Sequence, residues 1–176
     1  MANVAYYFGF KPLANSAGVE PLITVVTMAA AETTAGYINT PLSGTTAAAT
    51  VGFAADTTAG LGSVVAYRDK ITNEKFQYRP AAAQTNAWKV HVGDTRNNFL
   101  AAATNTTTAG QTYAIDADTD NGGDSTNTST ARVKAANTHA TANTIEALGL
   151  DTTEIKNVAG VGERIVCKFA QRAIYA

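Results

Sequence analysis

Few residues of this 176-residue chain could do chemistry, since it has only two histidines and one cysteine. His91 stands three residues before Asp94, close enough for a carboxylate to orient an imidazole acting as a base. A nucleophilic triad would also need a serine on a sharp strand-to-helix turn, and no such motif accompanies the pair. His139 has no His or Glu at metal-ligand spacing, so both histidines read as surface residues. Asp116, Asp118 and Asp120 fall at positions one, three and five of a possible Ca²⁺ loop, with Asp124 at nine. Asn121 stands where the sharp-turn glycine belongs and Asn127 where a bidentate Glu belongs, which favours a solvated acidic loop. Gly60-Leu-Gly62 and Gly160-Val-Gly162 lack the third glycine of a dinucleotide fingerprint and precede strands, so they read as turns. Asn105-Thr-Thr107 and Asn127-Thr-Ser129 match glycosylation sequons, with no secretion signal to deliver them. The expectation is a protein that is not an enzyme, has no catalytic residues, uses no cofactor and works by contact.

Such a chain must position contact surfaces, and its composition restricts them. Net charge is −1 and only 15% of residues are charged, so no long-range field gathers nucleic acid or anionic lipid. Alanine and threonine are abundant while Lys and Glu are scarce, giving a neutral, hydroxyl-rich surface. No apolar run reaches membrane-spanning length and the start has no basic n-region, so the expectation is a soluble product of the cytoplasm without a membrane partner. With Cys167 alone, no intramolecular disulfide forms, and packing must hold the fold.

The elements follow from a two-residue period. From Glu163 to Tyr175, Ile165, Cys167, Phe169 and Gln171 alternate with Arg164, Val166, Lys168, Ala170 and Arg172, the pattern of a half-buried closing strand with Cys167 on its apolar face. That strand needs a sheet to pair with. Leu22 to Met28, Thr50 to Phe53, Ser63 to Tyr67, Phe76 to Arg79, Trp88 to Val92, Arg132 to Lys134 and Thr144 to Leu150 supply further strands. Thr-Thr-Ala-Gly occurs at Thr33 to Gly36, Thr57 to Gly60 and Thr107 to Gly110, each time just before strand-like text. Its glycine suits a turn, and the unequal spacings speak against a solenoid. Leu100 to Thr108 reads as a short helical piece or a loop, Asp116 to Ala131 as a long exposed loop, and Asn157 to Gly162 as the turn into the last strand. Short strands joined by polar turns predict an all-β fold: a compact β-barrel or β-sandwich of short antiparallel strands. Residues 1–20 read as an extended N-terminal arm and 21–176 as a single β-rich domain. Tyr6, Tyr7, Phe8 and Phe10, with Lys11 and Pro12, either cover the edge of the domain's own core or reach a capsid or a neighbouring subunit.

The opening Phe8-Gly-Phe-Lys-Pro-Leu13 resembles that of small tailed-phage virion proteins beginning with a Gly-Phe-(Arg/Lys)-Pro segment, the capsid decoration (head-stabilising or cement) proteins. Val51-Gly-Phe-Ala54 and Ser63-Val-Val-Ala-Tyr67 look like their central strands. Thr112 to Asp118, Ala147-Leu-Gly-Leu150 and Arg164-Ile-Val-Cys-Lys168 are similar to the second half of that pattern. The Asp-Asp-Pro element that often precedes the later strand is replaced by Gly93-Asp-Thr-Arg96. The resemblance implies a β-barrel or sandwich body, commonly a homotrimer, on the exterior of a bacteriophage capsid. Its partner would be the major capsid protein, and it would carry no catalytic residues. Other readings are a tail or fibre component, a capsid-lattice protein, or a Thr-rich module binding carbohydrate or ice; for ice, Thr126-Asn-Thr-Ser-Thr130 offers only a fragment of the required ladder.

Overall fold

A computed structural model of the chain describes residues 3, 7–14, 19–28, 36–44, 50–53, 60–68, 72, 74–76, 78–79, 89–93, 96–116, 129–138, 145–153 and 156–169. Its first half contributes β1 (Lys11–Pro12), β2 (Ile23–Met28), β3 (Gly36–Tyr37), β4 (Pro41–Gly44), β5 (Thr50–Phe53), β6 (Gly60–Arg68), β7 (Lys75–Phe76), β8 (Tyr78–Arg79) and β9 (Lys89–Gly93). The second half contributes β10 (Phe99–Ala102), β11 (Thr112–Asp116), β12 (Arg132–Thr138), β13 (Ile145–Leu150) and β14 (Arg164–Phe169). The described residues are all-β, and nearly every strand pair is antiparallel. Two six-stranded sheets form, in the orders β4-β5-β2-β9-β6-β7 and β1-β10-β14-β13-β11-β12, with β3 and β8 pairing separately. No pairing among the described residues joins the two large sheets to each other; within the first, the additional β4–β6 pairing brings the strands round on themselves.

Apart from β1, which joins the second sheet, the sheets divide by sequence, and they share one wiring. In the first, β2 pairs with β9, β9 with β6, β6 with β4 and β4 with β5, while the end of β2 runs parallel to the start of β5. In the second, β10 pairs with β14, β14 with β13, β13 with β11 and β11 with β12, and Ala103, just past β10, bridges Val133 of β12 in parallel. The registers also agree. Thr24↔Val92 and Val25↔His91 correspond to Phe99↔Cys167 and Leu100↔Val166, and the parallel contact Met28↔Val51 corresponds to Ala103↔Val133. Pro41↔Ser63 and Leu42↔Gly62 correspond to Thr112↔Glu146 and Tyr113↔Ile145. The fourth strand bulges at the same place against the fifth, between Val64 and Ala66 in one sheet and between Ala147 and Gly149 in the other.

Even the turn before the second strand repeats. Asn39 N donates to Val64 O at 2.7 Å and Val64 N to Thr40 O at 2.9 Å; Gly110 N donates to Ala147 O at 2.7 Å and Ala147 N to Gln111 O at 3.0 Å. Asn39 and Gly110 both have positive φ, 63° and 81°. The chain is thus two copies of one five-strand unit. The Thr-Thr-Ala-Gly copies do not mark this repeat, because Asn39, not Gly36, is the counterpart of Gly110.

Burial follows the alternation. In β14, Ile165, Cys167 and Phe169 are buried while Arg164, Val166 and Lys168 are half-buried, as the pattern predicts; the residues after Phe169 lie outside the described set. The core of the second unit joins them with Phe99, Tyr113, Ile115, Val133, Ile145 and Phe10. Phe99 meets Phe169 edge-on at 4.9 Å, and Phe10 lies 5.9 Å from Phe169. Aromatic pairs of this geometry add to the area they remove from water. In the first unit, Met28, Leu42, Val64, Tyr67 and Val92 are buried.

Three expectations are corrected. Leu100 to Thr108 is neither helix nor simple loop. Strand β10 covers Phe99–Ala102, and Ala101, Ala102 and Ala103 are fully buried, because tertiary pairing with β14 overrides the helical preference of alanine. Phe76 to Arg79 is not one strand: β7 pairs with β6, whereas β8 pairs with β3. The loop after β11 returns to the interior before β12, with Ser129 and Ala131 fully buried; residues 117–128 lie outside the described set.

Candidate interaction surface

Asn3 and residues 7–12 of the N-terminal segment lie against the second unit. Asn3 Nδ2 donates to Val158 O at 2.6 Å and Asn3 Oδ1 accepts from Val158 N at 3.1 Å. The Arg132 guanidinium sits 4.4 Å from the centre of the Tyr7 ring, and that of Arg164 sits 5.7 Å from Phe8. Such cation–π contacts hold half-buried rings against the sheet face. Phe10 is fully buried, so its ring has no surface left for a capsid or a second subunit: of the two roles read from the sequence, it takes the one inside this chain's own core. Lys11 and Pro12 form β1 on the edge of β10, with Lys11 exposed and Pro12 half-buried. Residues 7–13 are therefore docked along the chain's own sheet in an extended course, Val19 and Glu20 are exposed, and Tyr6 lies outside the described residues.

What fixes this segment is a contact between the units. Gly9 has φ of +72°, and a Cβ there would run into the carbonyl oxygen of Asn39 and within 2.8 Å of its Cβ. The close approach lets Phe10 N donate to Asn39 O at 2.8 Å and Asn39 Nδ2 donate to Phe8 O at 3.0 Å. A second clamp is Asn97, buried, whose Oδ1 accepts from Leu22 N and whose Nδ2 donates to Leu22 O, both at 2.8 Å. Ser129 N adds a bond to Ile38 O at 2.9 Å.

The acidic positions do not assemble as a described ligand set. Asp116 Oδ2 accepts from Arg132 Nε at 2.8 Å, which commits that carboxylate to an ion pair across β11 and β12. Asp118, Asp120 and Asp124 lie outside the described residues, as do Asp94 and His139. His91 is placed on β9 opposite Val25 and Ala66. Among the described residues no group of three His, Cys, Asp or Glu could hold a metal ion. Cys167 is fully buried, its thiol donates to Phe99 O at 3.5 Å, and burial pushes its pKa well above the usual thiol range.

One buried carboxylate was not singled out by sequence. Glu163 is 1% exposed, and its Oε1 accepts from Thr107 N and Thr107 Oγ1, both at 2.6 Å, while Oε2 accepts from Gly160 N at 2.9 Å. With Asn157, which bonds both Asp151 O and the backbone of Arg164, it closes the turn ahead of β14. Both of its oxygens are engaged by the fold, so it reads as structural. A sequence signal existed only in Gly160 and Gly162 just before it, which free backbone donors in a tight turn.

The surface that stands out is apolar and lies on the first unit. Val19, Leu22, Ile23 and Val25 are 53%, 46%, 51% and 52% exposed. Ile23 and Val25 share the outward face of β2, while Met28 on the other face is buried. Beside Ile23 opens a cavity of about 300 Å³, bordered by Pro21, Ile38 and Val65 and closed on one side by Lys11 and Pro12 of β1. Clustered exposed aliphatics on a weakly charged protein mark a contact face more often than scattered ones do. No family model, no curated protein and no solved structure matches this chain.

Proposed function

We propose that the protein is a virion structural protein that binds the outer surface of a phage capsid and reinforces its lattice, as a decoration or cement protein. The supporting observation is the apolar face of β2, Ile23 and Val25 with Leu22 and Val19 beside them, on a chain whose net charge is −1. A lattice offers the same contact many times, so modest apolar contacts multiply into firm attachment without a single tight site. The partner in this reading is the major capsid protein, the location is the capsid exterior after synthesis in the host cytoplasm, and a homotrimer is the assembly that the resemblance of Phe8 to Leu13 suggests. The contact face moves from the aromatic start to β2, because Phe10 is fully buried and Tyr7 and Phe8 rest under arginines.

The test is occupancy on particles. Capsids lacking this protein are mixed with purified wild-type chain or with the double variant Ile23→Lys, Val25→Lys, and density on the shell is measured by electron cryomicroscopy. Both positions are about half exposed, so the variant should fold, as circular dichroism would verify. Wild type is expected to decorate, and the variant to need at least tenfold more protein for equal occupancy. Equal occupancy at equal concentration removes β2 from the contact; absence of wild-type protein from the shell overturns the decoration reading.

A further inference from the structure

The repeat assigns a role to the outer edge of β2. Beyond its pairing with the fifth strand, the first strand of the unit has a second edge. On β10 that edge is filled: Lys11 stands opposite Leu100, Pro12 opposite Phe99, and Leu13 N donates to Asn98 O at 2.8 Å. In the shared register Asn98 and Leu100 correspond to Ile23 and Val25 of β2. Among the described residues no strand pairs with that stretch of β2, whose ladders run to β9 and, at Thr27 and Met28 only, to β5.

Burial differs between the two units in the way a missing strand would produce. Phe99 and Ala101, on the inner face of β10, are fully buried beneath a core that includes Phe10. Their counterparts Thr24 and Val26 are only half-buried. On the outer face, Ile23 and Val25 are about half exposed, and the cavity beside Ile23 is bordered by Pro21 and Val65. A sheet edge of β-branched residues is a template for another strand, and β-augmentation takes its affinity from backbone bonds and its specificity from alternate side chains.

We propose that the edge of β2 at Ile23 and Val25 is a strand-addition site for an extended segment of another polypeptide, seated as β1 is seated on β10. The segment runs antiparallel to β2. It places one bulky apolar side chain where Phe10 sits in the other unit, and it can carry proline two residues later, because the N of Pro12 faces away from β10 while the amide of Leu13 faces toward it. Its source is a partner protein rather than a second copy's β1, which its own chain already uses on β10. The proposal deepens the adhesion reading and rests on it only for the source of the segment, the shell protein; the edge itself follows from the repeat.

The probe is a synthetic peptide of residues 7–14, Tyr-Phe-Gly-Phe-Lys-Pro-Leu-Ala, added to the isotopically labelled full-length protein. At saturating peptide, amide exchange at Ile23 and Val25 should slow at least tenfold while that at Leu100 stays unchanged. A peptide N-methylated at the leucine, which removes the donor equivalent to Leu13 N, should bind at least tenfold more weakly. Unchanged exchange at Ile23 and Val25, or equal binding by the methylated peptide, overturns the proposal. So does protection of both amides without peptide that disappears on dilution, which would make the edge an interface between copies of this chain. If the peptide protects the edge yet the double lysine variant still decorates capsids fully, the strand-addition site stands and the shell protein is not its partner.

Discussion

At the scale of single residues, the chemistry is that of a fold and not of a reaction. Cys167 shows this best. Its thiol is neutral in the folded state because burial disfavours the thiolate. In the unfolded chain it ionises near the ordinary thiol value, around pH 8.5. Above that pH the unfolded state binds fewer protons than the native state, so stability falls as pH rises, by up to roughly 1.4 kcal/mol per unit. Below it this contribution is fully present and flat. Urea melts between pH 7 and 10 should show the decline. Cys167→Val, which places there the residue its counterpart Val92 already is, should reduce it while leaving stability at pH 7 within about 1.5 kcal/mol of wild type. The native thiol should also react slowly with disulfide reagents at neutral pH.

At the scale of elements, the junction between the units depends on backbone positions that only certain residues tolerate. Gly9 combines a left-handed φ with contact against Asn39, so Gly9→Ala must both strain the backbone and push Asn39 away. We expect a loss of at least about 2 kcal/mol in denaturant melts, since both named mechanisms lie among the costly ones. The same substitution at Gly110, where φ is +81° but nothing lies within 4 Å of the added Cβ, should cost only the conformational part, about 1 kcal/mol. A smaller loss at Gly9 than at Gly110 would contradict the close approach as the controlling feature. Proline in β1 fits the same logic, because an edge strand tolerates a missing donor on its outer side.

At the scale of the whole molecule, the first residues of the chain complete the second unit and not the first. Phe10→Ala should therefore destabilise asymmetrically, by about 3–5 kcal/mol, the range for emptying a buried aromatic site. Hydrogen exchange should locate the damage: amides of β10 and β14 lose protection, while those of β6 and β9 keep more of theirs. Uniform loss across both sheets would mean that the units unfold as one body. Docking of residues 8–13 also changes what truncation tests, for removing them takes away a core ring and an edge strand together with any surface.

The amino-acid order by itself determined the all-β class, the positions of β5, β9, β13 and β14, and the inward face of the closing strand. Those properties are local: a period of two and glycine-bearing turns act within a few residues of where they are written. It also indicated a surface without strong charge. Three decisions belonged to tertiary structure alone. Ala101 and Ala102 became strand because β14 pairs with β10, Phe10 became core because Gly9 can approach Asn39, and the paired Asn97–Leu22 clamp tied the units together. The repeat was hidden for the same reason. Matching registers place Thr24 with Phe99, Gly62 with Ile145 and Ser63 with Glu146, residues with no chemical likeness, since a strand's place in a sheet is set by which backbone groups it meets and not by its side chains alone. Only once the strands were paired did one unit's filled edge reveal the other's open one.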